Sequence, residues 1–75
     1  MPTLLNLNGF KFFFYANEHA PMHIHVTNAD GFAKIELESF KVVQNYMKQK
    51  DLKLALEITK EYKNEFERIW NEWFN

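Results

Sequence analysis

Apolar and polar positions alternate through the first half of the chain, then recur at helical spacing through the second. Two alternating runs, Thr3 to Leu7 and Phe10 to Tyr15, flank Asn8-Gly9. Asn-Gly in that setting is the strongest short hairpin signal, because both residues tolerate the positive φ that a two-residue turn demands. Such a turn pairs Leu7 with Phe10, Leu5 with Phe12 and Thr3 with Phe14. It gathers Leu5, Leu7, Phe10, Phe12 and Phe14 on one face and leaves Leu4, Asn6, Lys11, Phe13 and Tyr15 on the other.

Asn17 to Pro21 reads as a connector, since Pro21 lacks the donor that a central strand needs. His23 to Thr27 then alternates, with Ile24 and Val26 on one side and His23, His25 and Thr27 on the other. Asn28-Ala29-Asp30-Gly31 is a turn cluster, in which Asp-Gly favours positive backbone angles at little steric cost. A fourth strand follows, with Ala33, Ile35 and Leu37 inward and Phe32, Lys34, Glu36 and Glu38 outward. Residues 39–48 fit either a short fifth strand or a helical turn, and a strand or extended crossover is the better fit. From Gln49 the pattern predicts one long helix through residue 74. Its stripe is Leu52, Ala55, Thr59, Tyr62, Phe66, Ile69 and Trp73.

A sheet apolar on one face and a helix apolar along one stripe bury each other. The expected architecture is therefore a single α+β domain over residues 1–75. Residues 1–38 form β-hairpins, 39–48 a crossover or short strand, and 49–74 the helix. The sheet has four strands, or five if residues 39–48 extend, mostly antiparallel, with the helix packed on one face.

Composition narrows the function more than it defines it. Seventy-five residues allow one small core and exclude a multidomain enzyme. The absence of Cys removes disulfides, a thiolate nucleophile and cysteine-ligated zinc. A net charge of −1 does not advertise a strong electrostatic grip on nucleic acid. The longest apolar run, Phe12 to Ala16, is far too short to span a bilayer. Met1-Pro2-Thr3 opens without the basic and apolar regions of a secretory signal, so a cytoplasmic protein with no membrane association is expected. No glycine-rich phosphate loop, nucleophile elbow or zinc-binding His-Glu-x-x-His helix is present.

One helix covers one face. The other is expected to show Lys11, Phe13, Tyr15, His23, His25, Phe32, Lys34 and Glu36. Contiguous exposed aromatics mark a contact surface. A second protein chain, unpaired nucleic-acid bases or a second copy of this chain would each fit Phe13, Tyr15 and Phe32, with Lys11 and Lys34 beside them. The alternative is that residues 39–48 fold back over the rings.

His23 and His25, two apart on a strand, project to the same side. Four roles stay open for them: an acid–base pair for metal-independent RNA cleavage, a phosphate- or carboxylate-binding pair, a metal site, or structural histidines. Glu18 and His19 lie just upstream, and a metal would want a third ligand such as His19. No compact fourth ligand follows, and neither a metal nor a cofactor is expected.

Met1-Pro2-Thr3-Leu4, Gly9 to Tyr15, Glu18, and above all Pro21-Met22-His23-Ile24-His25-Val26 resemble a small bacterial domain-of-unknown-function family, number four-one-six-zero. Its signature is Pro-x-His-Ile-His-Val. Gly31-Phe32-Ala33-Lys34 and Trp70-Asn71-Glu72-Trp73-Phe74 are similar to it as well, so the resemblance covers nearly the whole chain. Members are often encoded beside another small protein, an arrangement like a toxin–antitoxin pair. The resemblance therefore implies a partner-dependent role with a small cognate protein; RNA is a further expected ligand only through the His23, His25 and aromatic face. It places His19 in a variable insertion, and it sets Lys48 where similar sequences have a Ser helix cap.

Overall fold

The computed structural model describes residues 3–74. Five strands come first: β1 (Thr3–Leu7), β2 (Phe10–Phe13), β3 (His23–Asn28), β4 (Gly31–Glu36) and β5 (Val42–Asn45). Two helices follow, α1 (Gln49–Glu61) and α2 (Lys63–Phe74). The strands lie in the sheet in chain order, β1-β2-β3-β4-β5, and every neighbouring pair is antiparallel. The ambiguous stretch after residue 39 thus contributes an edge strand.

Asn8 and Gly9 close the first hairpin with φ of 54° and 82°, as a two-residue turn requires. The predicted register holds for Leu7–Phe10 and Leu5–Phe12 but not beyond. Thr3 pairs with Phe13 rather than Phe14, which leaves Leu4 as the extra residue of a bulge. The bulge lets Leu4 join Leu5 and Leu7 against the core, where strict alternation would have turned it away. With the register used up, β2 ends at Phe13, two residues sooner than expected.

The second hairpin also turns differently from its sequence reading. Asn28 pairs with Gly31, and the Asn28 side-chain oxygen accepts from the backbone N–H of Asp30 (3.0 Å) and of Gly31 (2.9 Å). Positive φ is therefore not what Gly31 supplies. Its missing side chain makes room for the chain leaving β5: Tyr46 donates its N–H to Phe32 O at 2.8 Å.

Most of the predicted core is observed, although Leu5 and Leu7 are only partly buried and Met47 joins it. Phe10, Phe12, Phe14, Ile24, Val26, Ala33, Ile35 and Leu37 are all buried, and Ala55, Ile58, Phe66 and Trp70 of the helices complete their cluster. Phe12 stacks on Phe66 at 5.6 Å between ring centroids, and Phe14 meets Trp70 edge-on at 5.2 Å.

The single long helix is instead two. The break falls at Tyr62, whose φ of −102° and ψ of 13° leave the helical region. Backbone bonding runs through it, from Tyr62 N–H to Ile58 O and from Phe66 N–H to Tyr62 O. No Gly or Pro causes this. Thr59, fully buried, donates its hydroxyl to Ala55 O of its own helix at 2.7 Å. Such back-bonding bends helices. Beyond the bend Trp70 becomes the buried anchor, while Trp73 stays 43% exposed, its ring edge on Phe14. Among the described residues no helix is long and apolar enough to cross a membrane.

Candidate functional site

Both helices occupy the face carrying Phe12 and Phe14, so the opposite face of the sheet lies open. Residues 39–48 do not fold over it, since β5 extends the sheet at its edge. Tyr15 (46%), Phe32 (48%) and Tyr46 (64%) are exposed there, with the Phe32 and Tyr46 rings 4.8 Å apart. Phe13 is half-buried beneath Tyr15, Lys34 is half-buried and Lys11 is exposed. A cleft of about 250 Å³ runs between Phe13, Tyr15, His25, Thr27 and Phe32.

His23 and His25 project to the same side, their rings 5.0 Å apart, but only one of them reaches this face. His25 remains at its margin, flanked by Phe13 at 5.5 Å and Tyr15 at 4.4 Å. His23 does not: it is 5% exposed, at the end of the sheet where the Trp70 ring reaches it at 5.2 Å. The expectation that both imidazoles line the open face is corrected here. It rested on strand alternation alone, and alternation is blind to a connector and a helix end that wrap the start of β3.

What joins the two histidines is Glu18. The chain between β2 and β3 returns across the sheet end, and the backbone N–H of Tyr15 donates to Glu18 Oε2 at 3.1 Å, holding the carboxylate inward. Glu18 Oε1 lies 3.0 Å from His23 Nε2 and Oε2 lies 2.9 Å from His25 Nε2. The three side chains are only 8%, 6% and 14% exposed. His23 Nδ1 is 2.8 Å from Pro21 O, an acceptor, so that nitrogen carries a proton and donates it. A second cleft, of about 310 Å³, opens on Glu18 and His23 from the side of His19, Lys34 and Glu36.

Burial holds the His25 pKa below its ordinary value. The attraction of the Glu18 carboxylate opposes this in part, and the Lys34 ammonium acts in the same direction as burial. Imidazoles that exchange protons with a substrate need a ring nitrogen turned toward it. Here both Nε2 atoms are turned on the one carboxylate.

The binding residues anticipated from sequence are together, with Lys11, Phe13, Tyr15, Phe32 and Lys34 all on the open face. Three further residues have roles that the sequence does not announce. Tyr46 joins Phe32 from the stretch whose pattern is ambiguous. Trp70 seals His23. Glu18, and not His19, is the group that the histidines share; its signals are its acidic character just ahead of the His pair and its place in the family resemblance, which sets His19 in a variable insertion.

A family model described as Domain of unknown function (DUF4160) matches residues 9–71, which include the open face and the Glu18 cluster. Neither the curated proteins nor the solved structures yield a match.

Proposed function

The chain belongs to the DUF4160 family, and from that premise we propose that it is a binding module, one member of a toxin–antitoxin-like pair, acting in the cytoplasm. Its small cognate protein docks on the open face around Phe13, Tyr15, Phe32 and Tyr46. The observation that carries this reading is the exposure of three large rings on one side of a sheet whose other side packs against the helices. Aromatic side chains of this kind supply most of the energy of protein interfaces, because they bury much area at little cost in side-chain entropy. Both ring nitrogens of His23 are engaged, by Pro21 O and by Glu18, which leaves that imidazole none to turn on a substrate and favours binding over a two-histidine acid–base cleavage of RNA.

A second reading has one observation in its favour. Lys11 and Lys34 stand beside the rings, and an open sheet with stacked aromatics and flanking cations suits single-stranded RNA. The two readings separate experimentally. Co-expression with the protein of the adjacent gene, followed by size-exclusion chromatography, is expected to give a complex that the Phe32→Ala/Tyr46→Ala variant loses. A complex unaffected by that variant would remove the open face from the proposal. Anisotropy titration with single-stranded RNA tests the alternative: binding that weakens with salt and with Lys11→Ala/Lys34→Ala would move the assignment to RNA.

A further inference from the structure

We propose that Glu18, His23 and His25 form a binding site for one transition-metal dication of the zinc class. One donor atom from each of the three lies within 4.8 Å of the other two, and all three side chains are largely withdrawn from solvent. This goes beyond the docking face and does not depend on it.

The proton positions make the argument. His23 Nδ1 donates to Pro21 O, so Nε2 of the neutral ring carries a lone pair rather than a proton. That lone pair points at a carboxylate oxygen 3.0 Å away, which also offers only lone pairs. Two acceptors face each other in a buried place, and a cation belongs between them. A proton can take that position. A dication takes it and draws in the second imidazole, 2.9 Å from the other oxygen of the same carboxylate.

The donor set selects the ion. Two imidazole nitrogens and one carboxylate suit zinc and its neighbours, whereas magnesium and calcium seek shells made of oxygen. Three protein ligands with a fourth position open is a common zinc arrangement. The cleft of about 310 Å³ beside Glu18 and His23 leaves that position to water or to a ligand oxygen. The supporting hydrogen bonds are in place too. Pro21 O fixes the tautomer and orientation of His23, and the Tyr15 N–H orients Glu18.

The test is calorimetric titration of untagged protein with zinc chloride, and the visible absorption of cobalt(II) in its place. One ion per chain is expected, with cobalt bands showing nitrogen and oxygen ligation. Glu18→Gln and His25→Gln, each checked for its fold by circular dichroism, are expected to weaken binding by at least the roughly 10- to 100-fold that losing a mere supporting hydrogen bond costs. His19→Ala is expected to bind as the wild type does. Absence of stoichiometric binding by the wild type would overturn the proposal, whatever the variants do. So would undiminished binding by a folded Glu18→Gln or His25→Gln protein, or loss of binding in His19→Ala, which would place the ion elsewhere.

Discussion

A Cβ built on Gly31 would stand 1.9 Å from the carbonyl oxygen of Tyr46. The obstacle is backbone, held by the bond from Tyr46 N–H to Phe32 O, so it cannot swing aside as a side-chain tip would. Gly31→Ala is expected to cost about 1–3 kcal/mol, the range for forcing extra atoms into a packed site. Urea denaturation checks it: the midpoint should fall while the slope stays unchanged. Phe32 and Tyr46 flank the point of contact, so partner binding should weaken along with stability.

Two phenylalanines should separate stability from binding. Phe66 is 1% exposed and stacks on Phe12, so Phe66→Ala is expected to cost about 3–5 kcal/mol. Phe32, 48% exposed, reaches outward, and Phe32→Ala should stay within about 0.5 kcal/mol of wild type. Thermal unfolding of the two variants side by side gives the comparison, and the partner complex should be lost only through Phe32 while both remain folded.

Helix α1 begins without a side-chain cap, because Lys48 has the extended dihedrals of a cap residue but no side-chain oxygen to offer. Lys48→Ser is expected to stabilise the protein by about 1 kcal/mol through a new acceptor for the first turn. What it gives up is small, since the ion pair with Asp30 spans 3.8 Å between two exposed groups. A higher denaturation midpoint checks this.

Acid should weaken the fold through His25. Its pKa is lowered in the folded state, so below the unfolded value of about 6.5 the unfolded chain binds the extra proton first. Stability contributed by the neutral ring is complete above that value. It falls as pH drops through it, and the loss is finished once pH lies below the folded value. Denaturation midpoints measured in a chelating buffer from neutral to mildly acidic pH should show the decline. His25→Gln should flatten it.

The parts of the fold that repeat are legible in the amino-acid sequence. Alternation places Phe12, Ile24, Val26 and Ile35 in the core, and Asn8-Gly9 locates the first turn, because both signals are local and have one physical solution. The bulge at Leu4 and the bend at Tyr62 are not legible there. The first answers a tertiary demand, a leucine packing on the core, and the second accompanies a buried hydroxyl bonded to its own helix; both leave the periodicity almost untouched. The site divides in the same way. Lys11, Phe13, Tyr15, Phe32 and Lys34 follow from strand alternation, whereas Glu18 sits on a connector with no period to read. Distance along the chain favours neither it nor His19, and the inward pull of the Tyr15 N–H decides between them.

Because the strands lie in the sheet in the order they leave the chain, no pairing waits for a distant segment to return. Loop closures stay short, contact order stays low for so much sheet, and folding should be quick for a protein with five strands. The cluster shares in this. Glu18, His23 and His25 are brought together by β2, β3 and the residues between them. Their meeting is therefore expected in an early hairpin-like step, ahead of the docking that brings Trp70 to His23.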